Sequence, residues 1–318
     1  MSVILQTPKT YETLKTVVSC LQMQTVKEKL ELVIIGPSLK EMNIDKHDLT
    51  PFCKYQIIET GKLKELTEGR AIAIHAASAP LVSIVEDHSF PSSDWAELMI
   101  KEHQNEWAGV GCEIQNANPV SFVSWANLIL THGKWMEKQK SGIRKNLSNH
   151  NTVYKRDLLI NYGEKLEFWL KSEDLLQDDL RSKGYSFYIQ SNAKIKHLNI
   201  SRYKIFIIEM YSGGRVFGAV RCKHWPRWRR CLYTLGSPFI VLKRIPELLS
   251  IIKQSGQRKR LLPQVLPALF IGLVSHSFGE AMGYAFDTGK AIEISNYLEF
   301  RHAQNLCTRD QQWSDNLI

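Results

Sequence analysis

Four short apolar runs dominate the first part of the chain: residues 3–5 (VIL), 30–35 (LELVII), 55–58 (YQII) and 81–85 (LVSIV). Each is too short for a buried helix and too continuous for a strand with one wet face, so each reads as a strand covered on both sides. Between them, Leu14, Val17, Val18 and Leu21 recur at a helical period, and residues 66–77 read as a second helix. Strands alternating with helices predict an α/β chain with a mostly parallel sheet and flanking helices. Ligands of such sheets sit beyond the carboxyl ends of the strands. That rule singles out residues 6–8, 36–38 and 86–88.

Further along, residues 94–103 predict a helix after Ser92-Ser93, 110–114 a strand and 122–130 a helix. The polar stretch 142–150 reads as a loop. Residues 153–162 and 165–183 read as helices, the second closed by Gly184, and 185–189 and 193–197 as two short strands.

Charge is unevenly placed. The net charge is +9, yet residues 215–260 hold 12 Lys+Arg and one acid, Glu247, leaving 29 bases against 31 acids elsewhere. A neutral body with one basic block is unlike a protein that coats nucleic acid, and no nucleic-acid partner is expected. Within the block, residues 221–230 (RCKHWPRWRR) interleave Trp225 and Trp228 with bases. The apolar stretches 231–252 and 261–286 follow, the first broken by Lys243, Arg244, Pro246 and Glu247, the second by Pro263, Gln264, Pro267, His276 and Glu280. Neither reaches the roughly 20 apolar residues of a spanning helix. They read as amphipathic helices lying on an anionic membrane surface, or else as helices packed on the main domain. Residues from about 290 to 318 read as a polar tail. The six cysteines form no C-x-x-C pair, and the opening residues lack a basic segment and a long apolar run. Cytoplasmic residence with reduced thiols is expected, peripheral on the inner face of the membrane.

Glu86-Asp87-His88 follows the fourth apolar run directly. Ionisable side chains at a strand end are costly unless solvated or liganded. A carboxylate with an imidazole can hold a divalent metal, and the metal a diphosphate. Residues 69–91 (GRAIAIHAASAPLVSIVEDHSFP) resemble the nucleotide-sugar segment of family 2 glycosyltransferases, with Arg70 on the family arginine and Glu86, Asp87 and His88 on the D-x-D positions. Ala71 and Ala73 stand where the family has Asn and Gly, and Gly36-Pro37-Ser38 stands where many relatives have a base-reading Asp. Likeness extends over about residues 2–200.

The resemblance implies a GT-A, Rossmann-like domain over 1–202; the composition beyond it reads as a basic and apolar membrane-associating helical region over 203–290 and a polar tail over 291–318. The resemblance also implies an inverting glycosyltransferase using a UDP-sugar and a lipid-linked or glycan acceptor. A non-catalytic nucleotide-sugar-binding relative or partner subunit is the alternative. Thr7, Pro8, Arg70, Glu86 and Asp87 would meet the donor. Glu86, His88 and His197 would hold Mn²⁺ or Mg²⁺, the imidazoles favouring Mn²⁺. Asn116, Asn118 and Trp125 would line the acceptor side, with Asn149-His150-Asn151 nearby in the family pattern. KSEDLLQDDLRSKG (171–184) resembles the segment that supplies the base, with Glu173 and Asp174 as candidates and Asp178 and Asp179 one turn on. FGEAMGY (278–284) resembles an element of membrane-associated members; its spacing puts Gly279 and Gly283 on one helix face.

Overall fold

The computed structural model describes residues 1–61, 65–136, 140–148, 150–255 and 261–314, with Glu173 and Ser314 described by their backbone only. The chain forms two units, Met1–Gln115 with Gln139–Lys196, and Asn116–Lys138 with His197–Ile318.

In the first unit the four apolar runs become β1 (Ser2–Gln6), β2 (Glu31–Gly36), β3 (Lys54–Glu59) and β4 (Leu81–Ile84). They pair in parallel in the order β3-β2-β1-β4. Residues of β2 are buried throughout, as a strand covered on both faces requires. The sheet is extended by β5 (Ser89–Pro91), β6 (Gly109–Asn116), β7 (Gly142–Arg144), β8 (Val153–Lys155) and β9 (Phe187–His197), giving the order β3-β2-β1-β4-β8-β6-β9-β5 with β7 on β9. The result is the expected mixed α/β sheet with flanking helices. Val17, Val18 and Leu21 of the Lys15–Gln22 helix and Trp95 and Met99 of the Trp95–Glu102 helix close one core with Val3, Leu5, Leu32 and Ile34.

Four local expectations change. Residues 142–144 are a strand, because their backbone meets β9 antiparallel at Phe187–Ile189. Val153–Lys155 is also a strand, antiparallel to both β4 and β6, before a short helix Arg156–Ile160. The expected helix 165–183 is two helices, Leu166–Leu170 and Glu173–Ser182, parted where Ser172 is extended. The two short strands are one, β9. Its polar middle continues the strand because Ser191 N donates to Ser141 Oγ (3.0 Å) and Gln190 Nε2 to Glu102 Oε2 (3.0 Å). Gly184, at φ +89°, ends the helix as expected.

Two buried ionisable groups pin this unit. Burial alone would raise the pKa of Glu31, but hydrogen bonds from Ser2, Ser78 and Gln56 outweigh it and hold the carboxyl at about 2. Burial lowers His103 to about 4, although its Nε2 donates to Val153 O at 2.9 Å. A histidine neutral in the fold and near its ordinary 6.5 when unfolded stabilises only above that value. Stability should fall as pH drops from about 6.5 to 4 and then level off, by about 3 kcal/mol from this group. Acid melts of His103→Gln should show a shallower slope in that window. An unchanged slope would remove His103 from the account.

The second unit is helical. It comprises Phe122–His132, Tyr203–Arg221, Arg227–Gln254, Leu266–Phe286, Ala291–Glu299 and Thr308–Ser314. Arg227–Gln254 runs through Pro238 and Pro246 without ending. Among the described residues no helix is long and apolar enough to cross a membrane. Residues 291–314, expected as a polar tail, are instead ordered by their polar groups. Asp310 is fully buried and accepts from Val120 N (3.2 Å) and Ser121 N (3.3 Å), while Trp313 Nε1 donates to Ala117 O (3.1 Å). Residues 315–318 and the bases Arg258, Lys259 and Arg260 lie outside the described residues. Of the two interleaved tryptophans, Trp225 packs inward on Tyr284 (centroids 5.7 Å, 15°) with Arg229 4.1 Å from its ring, and Trp228 is 68% exposed.

Candidate functional site

β1 and β4 are parallel neighbours with Ile4 opposite Ile84, so Thr7 and Glu86 leave the sheet at the same edge. Thr7 is buried; its Oγ donates to Thr10 O (2.8 Å) and accepts from Lys9 N (3.3 Å), shaping the turn in which Pro8 is exposed. Beyond the ends of β1 and β2 lies a cleft of about 530 Å³ lined by Tyr11, Lys15, Met42, Asn43 and Asp45, a size that suits a small ligand. Tyr11 OH donates to Asp48 Oδ2 at 3.0 Å on its wall. The carboxyl end of β2 (Gly36-Pro37-Ser38) carries no acid, but the end of β3 does: Glu59 accepts from Leu39 N (2.9 Å), and Ser38 caps the short helix Leu39–Met42.

Glu86 is the centre of the first unit's polar corner. It is buried, and donors converge on its carboxylate: Ser89 Oγ (3.0 Å) and Asn151 Nδ2 (3.2 Å) on Oε2, His150 Nδ1 (2.5 Å) on Oε1. Arg70, on the Leu66–Ala76 helix, places Nη1 2.6 Å from His150 Nε2. A guanidinium only donates, so His150 Nε2 accepts and the ring's one proton sits on Nδ1, facing Glu86. The tautomer and the chain Arg70–His150–Glu86 are thereby fixed. Asn151 joins through a left-handed backbone (φ +64°), its N donating to Ile84 O (2.9 Å). Arg156 holds the far end of the Arg70 helix, donating to Ile74 O (2.9 Å) and His75 O (2.7 Å).

Asp87 and His88 form a second pair. A carboxylate only accepts, so His88 Nδ1 donates to Asp87 Oδ1 at 2.7 Å. That turns His88 Nε2 toward Glu86 Oε2, 3.9 Å away. A carboxylate oxygen and an imidazole nitrogen side by side, the imidazole oriented by a second carboxylate, form a donor set that fits a divalent transition ion. Sequence reasoning placed Asp87 on the donor; its observed contact is with His88.

The base candidates lie on the Glu173–Ser182 helix. The Glu173 side chain lies outside the described residues, as does Asn149. Asp174 is partly buried, and its Oδ1 accepts from Asn146 Nδ2 at 2.9 Å. One turn on, Gln177 is fully buried and bonds Leu147 N (2.7 Å) and Tyr154 OH (2.8 Å), fastening the 146–147 segment to the helix. Asp178 pairs with Arg181, and Asp179 with Lys183 (2.6 Å) and Tyr162. Burial would raise the Asp179 pKa, but Lys183 and Tyr162 outweigh it and lower it.

The remaining candidates sit in the second unit. Asn118 is fully buried with both side-chain polar atoms engaged: Nδ2 donates to Asn199 O (2.8 Å) and Oδ1 accepts from Asn199 N (2.7 Å). Asn116 Oδ1 accepts from Ser124 Oγ, Asn118 N and Asn199 Nδ2, each at 3.0 Å. Trp125 is buried and its Nε1 donates to Pro119 O (3.0 Å). These side chains build the turn before the Phe122–His132 helix. His197 Nδ1 bonds Asn199 Oδ1 (2.9 Å), and its ring lies 4.6 Å from His132 and 5.7 Å from His302. Asn199 and His302 were not singled out by sequence; the first lies two residues past His197, and the second carried no pattern at all.

No protein-family model and no curated protein matches the chain. Among solved structures it is similar to S. aureus TarS 1–349 in complex with UDP, at 12% identity and a TM-score of 0.45, over 88% of this chain and 90% of that one. It is also similar to GalNAc-T7 with UDP, GalNAc and Mn²⁺, at 11% identity and a TM-score of 0.48, over 62% of this chain and 42% of that one.

Proposed function

We propose that the chain is a glycosyltransferase of GT-A type that moves a sugar, with inversion, from a UDP-sugar to a lipid-linked or glycan acceptor at the cytoplasmic face of a membrane. The observation that carries this reading is the corner Arg70–His150–Glu86 with His88 and Asp87, built at the carboxyl end of β4 in the segment that resembles family 2 glycosyltransferases. Glu86 and His88 would hold Mn²⁺ or Mg²⁺, which supplies charge to neutralise the departing diphosphate. Arg70, held by His150, brings a fixed guanidinium to the same end of the sheet. The cleft beyond β1 and β2 seats the nucleoside. Glu173 or Asp174 takes the proton of the acceptor hydroxyl on the face opposite the leaving group.

Calorimetric titration with UDP-, GDP- and dTDP-sugars, with and without Mn²⁺, tests the donor half. The expected result is metal-dependent binding of UDP-sugars. Asp87→Ala, which frees the His88 ring, should weaken the metal about 10–100-fold, and His88→Ala should weaken it further. A folded chain that binds no nucleotide-sugar would overturn the reading. Metal-dependent binding without transfer to any glycan or lipid-linked acceptor would favour the non-catalytic relative.

A further inference from the structure

The Arg227–Gln254 helix presents Trp228, Leu232, Leu235, Phe239 and Leu242 at alternating steps of four and three residues, each 60–76% exposed. That spacing puts all five on one face. Single exposed apolar side chains need no explanation, but a continuous row of five marks an interaction surface. The Leu266–Phe286 helix carries a second row, Leu266, Phe270, Val274 and Phe278, 38–60% exposed. An apolar groove of about 170 Å³ lies between the two helices, lined by Leu249, further along the first helix, and by Leu266 and Phe270 of the second row, among others.

Charge selects the occupant. Arg227, Lys243 and Lys253 of the first helix, and Lys223 just before it, are exposed bases. The helix's one acid, Glu247, is matched by Lys134 at 3.3 Å. Seating this face on a second copy of the chain would bring bases against bases. An anionic lipid surface complements them, and Trp228 beside Arg227 suits headgroup depth. Among the described residues no helix can cross a bilayer, so the rows can be buried in lipid only by lying flat.

We propose that these two helices are a docking surface for an anionic bilayer, with Arg227–Gln254 lying in the headgroup layer and its row from Trp228 to Leu242 inserted. This deepens the membrane part of the proposed function and rests on it, but not on sugar transfer.

Co-sedimentation of the full chain with phosphatidylcholine vesicles, with and without phosphatidylglycerol, tests it. Binding should require phosphatidylglycerol and weaken with salt. Leu235→Glu/Phe239→Glu, at exposed positions, should lower vesicle affinity by more than about tenfold. Neutralising Lys243 and Lys253 should cost about fivefold per base. Met23→Glu, 64% exposed in the first unit, should change nothing. A double-glutamate variant that pellets like the wild type overturns the surface while leaving a membrane partner standing. A dimer seen by light scattering without vesicles, and dissociated by the same variant, overturns it in favour of a second copy. Failure of the wild type to bind any vesicle removes the membrane reading as well, and UDP-sugar binding on the same preparation then reports whether the transfer reading survives.

Discussion

Alanine at Gly214 is expected to destabilise the helical unit by about 3 kcal/mol, while alanine one residue earlier, at Gly213, is expected to stabilise it by about 0.5–1 kcal/mol. Both glycines lie inside the Tyr203–Arg221 helix, so helix propensity favours alanine at each. Their surroundings differ. A Cβ on Gly213 meets nothing within 4 Å, whereas one on Gly214 would lie 2.1 Å from His276 O. The Leu266–Phe286 helix answers in kind: a Cβ on Gly279 would lie 2.0 Å from Tyr211 O, and one on Gly283 2.2 Å from Arg215 O. The two helices therefore cross backbone to backbone, with glycines from both sides at the contact, and the obstructing atoms are main-chain carbonyls that no rotamer change can move. The crossing also buries Glu280 against Tyr284 (2.5 Å) and Arg221 (3.7 Å), and burial raises its pKa despite those partners. Separating the helices would disturb that pair as well. In thermal melts, Gly214→Ala and Gly279→Ala should lower the midpoint by about 6–12 °C and Gly213→Ala should raise it slightly. Equal effects at 213 and 214 would mean that the helices do not approach this closely.

The spacing of Gly279 and Gly283 carried this contact in the sequence, because a helix face is a local property. The first four strands were legible for the same reason, as short apolar runs, although only β1 and β2 are buried nearly throughout; β3, at the end of the sheet, has no fully buried residue and is not covered on both sides as expected. What failed was structure held by distant partners. Val153–Lys155 reads as the start of a helix until β4 and β6 flank it. Gln190–Asn192 reads as a break between strands until Glu102 and Ser141 take up its polar groups. Residues 291–314 read as a tail because the partners of Asp310 and Trp313 lie about 190 residues earlier.

The candidate site divides along the same line. The Glu86-Asp87-His88 triplet stood out because charges at the end of an apolar strand have to be accounted for. His150 stood in a noted motif, but its bonds to Arg70, 80 residues away, and to Glu86 were beyond any local pattern. Asn118 and Trp125 have types suited to sugar binding, and the structure engages their polar atoms with the main chain of their own unit. Residue type suggests a chemistry; only the count of occupied hydrogen-bonding atoms shows whether the side chain can offer it to a ligand.

Glu86→Gln is expected to lower transfer by about a thousandfold or more and to abolish the response of donor binding to Mn²⁺, since a metal on a departing diphosphate is worth several kcal/mol and each tenfold in rate is about 1.4 kcal/mol. The substitution is isosteric but not gentle. Three donors, from Ser89, Asn151 and His150, point at the carboxylate, and an amide offers one accepting oxygen and two new donors. His150 cannot relieve the clash by moving its proton, because Arg70 occupies the other ring nitrogen. Donor binding should therefore be measured below the variant's own melting point, so that lost fold is not read as lost chemistry. His150→Ala separates the two roles. It leaves Glu86 and Arg70 in place but unlinked, and should weaken the metal about 10–100-fold, the scale of an orienting contact, so that excess Mn²⁺ restores much of the rate. Excess Mn²⁺ should not rescue Glu86→Gln. Because the two residues act through one bond, His150→Ala added to Glu86→Gln should cost little further. Full activity and an unchanged metal titration in Glu86→Gln would place the metal and the diphosphate elsewhere, and the corner would then be only the means by which the 150–151 turn is fastened to the end of β4.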